Sequence, residues 1–111
     1  MENKTPERKV DRLTRNLFEA VDYLHCKGIL HRDIKPANIL LRTNKGMTWA
    51  LGDFGLAIDL KNEDIDNSLI VGTKEYLPPE VQQEYQSHPK TVDIWSSAIV
   101  IFEVLTGKRP F

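Results

Sequence analysis

The 111 residues carry 15 Lys and Arg against 16 Asp and Glu, a formal charge of -1, with 41% hydrophobic and 28% charged side chains. That balance removes any chain-wide electrostatic reason to bind nucleic acid or anionic lipid, and it is too apolar for a disordered polymer. The longest apolar run, Ala98 to Phe102, is too short to span a bilayer, and the first ten residues contain no apolar core of a secretory signal. A single cysteine, Cys26, excludes an internal disulfide and is joined by no metal-binding set of Cys and His, which places the expected setting in a reducing, cytoplasmic compartment.

From Asp11 to Lys27 the apolar residues Leu13, Leu17, Ala20, Val21 and Leu24 recur at steps of three and four, and Gly28 follows as a C-terminal cap. The spacing predicts an amphipathic helix, with Cys26 read as a small buried hydrophobe. Ile29 to Leu41 is apolar at both ends and polar in the middle, and Pro36 excludes a regular helix through 31–38. A short strand, a loop and a second strand over Asn38 to Arg42 are expected. Asn44-Lys45-Gly46 supplies turn chemistry, and Met47 to Leu51 reads as the partner strand of a hairpin whose mouth releases Asp53. Acidic residues between Asp59 and Asp66 and the Pro78-Pro79 pair then mark a long exposed segment. Thr91 is a candidate N-cap for a helix over Val92 to Leu105 that is apolar on nearly every side and stops at Thr106-Gly107. Such a helix belongs inside a larger body.

Two clusters carry chemistry. His31-Arg32-Asp33-Ile34-Lys35-Pro36-Ala37-Asn38 puts a carboxylate, an ammonium and an amide into one loop between two strands. A carboxylate can accept a hydroxyl proton, a lysine can neutralise a transferring phosphate, and an amide oxygen can ligate Mg²⁺, which suits phosphoryl transfer. The plain alternative for each residue alone is a charged surface turn. Asp53-Phe54-Gly55 adds a carboxylate at a strand end, a ring able to anchor the loop and a glycine that permits a sharp turn. Five specified residues in the first pattern arise by chance below roughly one in a million per starting position, so coincidence is no rival.

The order His31-Arg32-Asp33, Lys35, Asn38, then Asp53-Phe54-Gly55, then Gly72-Thr73, Tyr76 and Pro79-Glu80, resembles the eukaryotic-type serine/threonine protein kinase family from about Leu13 to Phe111. The resemblance implies a mainly α fold with short β hairpins: a partial protein kinase domain over residues 1–111, a fragment of the helical C-lobe without the N-lobe. It implies Asp33 as the catalytic base, Lys35 as a catalytic and phosphate-binding lysine, and Asn38 and Asp53 as Mg²⁺ ligands. Leu40 takes the position beneath an adenine ring. ATP and Mg²⁺ are the implied cofactors, and the implied partner is a protein with a Ser or Thr acceptor. Lys35 after the base and Thr73 after Gly72 resemble serine/threonine rather than tyrosine kinases. Asp93 is expected to reach the backbone of the catalytic loop, with a favourable place at the helix dipole as the alternative. His31 is expected to be a packed structural residue.

Pro78 departs from the Ala usual before Pro-Glu, and Ala98 from the Gly usual in the long helix. No Gly-rich phosphate loop or Val-Ala-Ile-Lys strand precedes His31 in these residues. The 111 residues alone are therefore expected to bind Mg-ATP weakly. A truncated, non-catalytic module that binds another kinase is the alternative reading, and an incomplete gene product a third. Stretches such as Val71-Gly72-Thr73-Lys74-Glu75-Tyr76-Leu77 and Thr106-Gly107-Lys108-Arg109-Pro110-Phe111 give a weaker likeness to the IκB kinase group. Ser68, the only hydroxyl residue from Leu56 to Val71, is the expected activating phosphosite, its phosphate pairing with Arg32 among the repelling Glu63, Asp64 and Asp66.

Overall fold

A computed structural model describes residues 6–43, 46, 48–61, 71–82 and 89–111; Ser68 and its acidic neighbours, with Asn44, Lys45 and Met47, lie outside them. The first helix, α1, spans Pro6–Cys26, five residues earlier than the apolar spacing indicated. Proline near a helix start explains the difference, since its fixed φ and missing N–H suit the first turn. Leu13, Leu17 and Val21 are buried on one face. At its end Gly28 takes φ 77° and donates its N–H to the His25 carbonyl, the capping role its position suggested. Cys26 is exposed rather than buried. It sits one turn beyond Asp22, on the polar face of α1, with its sulfur 4.0 Å from the Asp22 carboxylate.

Strand β1 (Ile29–Leu30) is followed by a single 3-10 turn over Pro36–Asn38, then by β2 (Ile39–Arg42) and β3 (Thr48–Leu51). β2 and β3 form the anticipated antiparallel hairpin, with Ile39 opposite Leu51 and Arg42 opposite Thr48. The hairpin is fixed to α1 where Asn16 accepts the Trp49 N–H at 2.9 Å. Sequence reading did not provide a partner for β1. It pairs antiparallel with β4 (Ile58–Asp59), Leu30 opposite Ile58, so the chain after Asp53 folds back on the strand that leads into His31.

A second 3-10 turn covers Lys74–Tyr76, a short helix α2 covers Pro79–Gln82, and the last helix, α3, spans Pro89–Thr106. α3 starts at Pro89, so Thr91 lies inside its first turn and is not the N-cap. Asp93, the fifth residue of the helix, is past the turn where a carboxylate gains most from the dipole. Gly107 ends α3 with φ 86° and an N–H to the Glu103 carbonyl. The core joins Leu17 and Val21 of α1, Ile34 of the loop, Tyr76, and Ile99 and Val100 of α3. Each such side chain contributes about 1.5–3 kcal/mol by leaving water, so the loop carrying Asp33 is held from below through Ile34. On the other side of α3 Ile94, Phe102, Val104 and Leu105 stay exposed, the consequence of a helix apolar all round. No helix among the described residues is long and apolar enough to cross a membrane.

Candidate functional site

The loop of residues 31–38 is positioned from three directions. From α3, the Asp93 carboxylate, 1% exposed, accepts the His31 N–H and the Arg32 N–H, each at 2.9 Å. From the end of β3, the Gly52 carbonyl accepts from His31 Nε2 at 2.9 Å. From within, His31 Nδ1 accepts the Asp33 N–H at 3.2 Å, which requires that nitrogen to be bare and puts the ring proton on Nε2. His31 is completely buried and stacks obliquely on Phe54, ring centres 5.0 Å apart. It is the packed structural residue expected.

Arg32 occupies the left-handed region at φ 72°, unfavourable for a side-chain-bearing residue and tolerated only where surroundings over-determine it. The Asp93 contact to its N–H supplies part of that, and its Nε donates to the Leu56 carbonyl at 2.8 Å. Burial lowers the proton affinity of the guanidinium, opposed by the nearby Asp93 charge.

This bend presents Asp33, Lys35 and Asn38 together. Thr73 Oγ1 donates to Asp33 Oδ1 at 2.9 Å and accepts from Lys35 Nζ at 2.9 Å. Lys35 Nζ is 3.8 Å from Asp33 Oδ2. Asn38 Nδ2 donates to the Asp33 carbonyl at 2.7 Å and reaches its Oδ2 at 3.3 Å, so the amide oxygen is turned the other way. Thr73 can reach the cluster because Gly72 passes against the loop: a Cβ there would stand 2.5 Å from the Arg32 carbonyl oxygen, and its φ of 109° also favours glycine.

Asp53 lies two residues past the end of β3, with no side-chain bond to the cluster among the described residues. Its placement is backbone work, the Gly52 N–H donating to the Asn38 carbonyl at 2.8 Å. Asp53 is itself at φ 51°, exposed, and bonded through Oδ1 to the Gly55 N–H at 3.3 Å. Leu40 stands apart on β2, opposite Ala50, 56% exposed, with its side chain over Gly52. An Asn38 amide oxygen and an Asp53 carboxylate at adjoining strand ends are hard oxygen donors of the type Mg²⁺ takes, and such a cation keeps waters in its remaining positions. The donors present fit that ion.

Sequence reading left two contacts unseen: Thr73 bridging Asp33 and Lys35, and His25 of α1 on Asp93. His25 had a legible signal, a polar residue four beyond Val21 on the apolar stripe. Thr73 was legible only as part of the Gly72-Thr73 motif, because its meeting with Asp33 and Lys35, 40 and 38 positions earlier, depends on tertiary folding.

The whole sequence, residues 1–111, matches the model of the protein kinase domain. The chain belongs to the protein kinase domain family, in its serine/threonine branch. An Aurora kinase of Debaryomyces hansenii is 50% identical over 93 residues, 83% of this chain and 22% of the relative. Serine/threonine-protein kinase AtPK1/AtPK6 of Arabidopsis thaliana is 45% identical over 98 residues, 88% of this chain and 20% of that protein. Serine/threonine-protein kinase TIO, from the same plant, is 39% identical over 106 residues, 96% of this chain and 8% of its length. The kinase-family chain thus spans about a fifth or less of these relatives. Its helices and short antiparallel strands are the partial kinase fold that the motifs implied, and kinases of this family use ATP with Mg²⁺ and act on proteins.

Proposed function

We propose that residues 1–111 form part of one protein kinase domain and supply the catalytic-loop side of a reaction that transfers the ATP γ-phosphoryl group to a Ser or Thr hydroxyl of a protein. The observation that carries this is the Asp33 carboxylate accepting a β-hydroxyl, that of Thr73, at 2.9 Å beside an ammonium. A substrate Ser or Thr presents the same chemical group. As its oxygen bonds to the γ-phosphorus and the bond to the ADP oxygen breaks, its proton passes to Asp33. Lys35, held over Thr73, offsets charge on the transferring phosphoryl group. Asn38 and Asp53 would hold Mg²⁺, which screens the phosphate charges when bound. Leu40, exposed beside Gly52, offers an apolar surface for the adenine.

The setting we propose is intracellular, consistent with the free thiol of Cys26. The alternative of a non-catalytic module docking on a kinase partner draws on the exposed Phe102, Val104 and Leu105 of α3. The leaning to the IκB kinase group rests on its sequence stretches alone, as does Ser68 as phosphosite. Phosphate transfer from labelled ATP by the full-length protein separates the readings. The kinase reading expects incorporation into Ser and Thr but not Tyr of a protein substrate, reduced about 10²–10⁴-fold by Asp33→Asn with nucleotide affinity kept. Equal incorporation by wild type and Asp33→Asn contradicts it.

A further inference from the structure

Asn16 is a polar residue on the side of α1 that carries Leu13, Leu17 and Ala20, and its Oδ1 accepts the Trp49 N–H of β3 at 2.9 Å. In an antiparallel pair, alternate residues turn their N–H and C=O away from the partner strand. The Gly52 N–H on the Asn38 carbonyl fixes that alternation in the hairpin. With Leu40 opposite Ala50 and Leu41 opposite Trp49, the Trp49 N–H therefore points off the outer edge of β3. Asn16 fills an edge position that the hairpin itself leaves open.

Ile39 and Leu51 pack on the core to which Leu17 and Val21 of α1 belong. Apolar contact of that kind presses the hairpin onto the helix, but it is non-directional and leaves the hairpin free to slide along it. A hydrogen bond specifies both distance and direction, so Asn16 sets where β3 stands on α1. That placement governs the mouth of the hairpin, where Asn38 directly precedes β2, Asp53 lies two residues past β3, and the Leu40 side chain lies over Gly52. The loop bearing Asp33 and Lys35 is held separately, by Asp93 and Thr73.

We infer that Asn16 is a positioning residue for the proposed Mg²⁺ ligands: β3 is pinned at two points, at Gly52 by His31 and at Trp49 by Asn16, and this sets the direction in which Asp53 leaves it beside Asn38. Asn38 is itself tied to the Asp33 carbonyl, so a strand that drifts moves one proposed ligand relative to the other. The effect on Mg²⁺ rests on the proposed function, and the effect on the hairpin rests on the geometry alone. Alanine at position 16 removes the acceptor, whereas aspartate restores an oxygen at the same reach.

The test compares wild type, Asn16→Ala, Asn16→Asp and Asp33→Asn of the full-length protein by Mg²⁺ titration of phosphotransfer, calorimetric binding of Mg-ADP and amide hydrogen exchange. Asn16→Ala is expected to raise the Mg²⁺ concentration for half-maximal rate and the Kd for Mg-ADP about 10-fold, with kcat at saturating Mg²⁺ and ATP within about twofold, the mark of weakened binding rather than lost chemistry. Exchange is expected to accelerate at the Trp49 amide and to stay unchanged at His31 and Arg32. Asn16→Asp is expected to recover most of these losses. Unchanged Mg²⁺ requirement and Mg-ADP affinity in Asn16→Ala, acceleration spread equally to His31 and Arg32, or no recovery by aspartate would each overturn the inference. If wild type transfers no phosphate, or Asp33→Asn transfers it equally, the kinase reading fails by itself, and Mg-ADP binding together with exchange at Trp49 still decides whether Asn16 sets the hairpin.

Discussion

Two stretches bearing the candidate site, residues 31–38 and residues 53–57, are held in opposite ways. In the first, His31, Ile34 and Asn38 are buried, and the backbone is bound by Asp93 from α3, by the Gly52 N–H just past β3 on the Asn38 carbonyl and by its own side chains. In the second, Asp53, Phe54, Gly55 and Leu56 are all exposed. The bonds on that stretch are a local turn from the Ala57 N–H to the Phe54 carbonyl, the Asp53 contact to Gly55, and the Arg32 reach to Leu56. The proposed proton acceptor, Asp33, is thus tied into a largely buried polar network, while the second proposed metal ligand, Asp53, sits on an exposed segment with few bonds. Chemistry that needs a fixed base and an entering cation is served by that division.

Breaking the stronger half should cost most. Asp93→Ala leaves the His31 and Arg32 N–H groups without their acceptor in a dry interior and is expected to lower stability by about 3 kcal/mol or more, seen as a lower urea midpoint. Asp53→Ala, its counterpart on the looser half, is expected to move the midpoint by less than about 0.5 kcal/mol while abolishing Mg²⁺-dependent phosphotransfer. If both changes cost equal stability, the contrast between the two stretches is wrong.

Gly72 couples the halves of the cluster. Gly72→Ala is expected to lose about 2 kcal/mol and to reduce kcat, because the Cβ meets the Arg32 carbonyl and φ 109° is strained for alanine. Unchanged thermal stability and kcat would show that the chain can pass elsewhere. The smallest effect is expected at Tyr76, whose hydroxyl donates to Glu103 and whose proton affinity is raised, first by burial and then by Glu103. Since the folded state favours the neutral phenol, its contribution is intact at neutral pH and is lost as pH climbs past the ordinary value of about 10 through the raised one. Urea midpoints followed across that range should fall, and Tyr76→Phe should flatten the fall.

The sequence made the local chemistry legible and the long-range contacts obscure. The apolar steps Leu13, Leu17 and Val21 gave the buried face of α1, the turn residues gave the β2–β3 hairpin, and the kinase motifs named the loop. The pairing of β1 with β4 was hidden because two-residue strands carry no periodicity. Cys26 was misjudged from its residue type, when its place one turn after Asp22 on the polar face decided its exposure. The helices start earlier than the apolar steps from Asp11 and the candidate cap Thr91 indicate, because the first turns at Pro6 and Pro89 carry no apolar periodicity while proline suits a first turn.

The central claim, a proposed base presented by a loop fixed from inside beside a segment that is not, is tested most directly by residue-resolved amide exchange on the full-length wild-type protein without nucleotide. The account predicts that the His31 and Arg32 amides, bound by buried Asp93, exchange only through large-scale unfolding, whereas Phe54 and Leu56 exchange through small local openings at least about 100-fold faster. Equal exchange at the two pairs would contradict it.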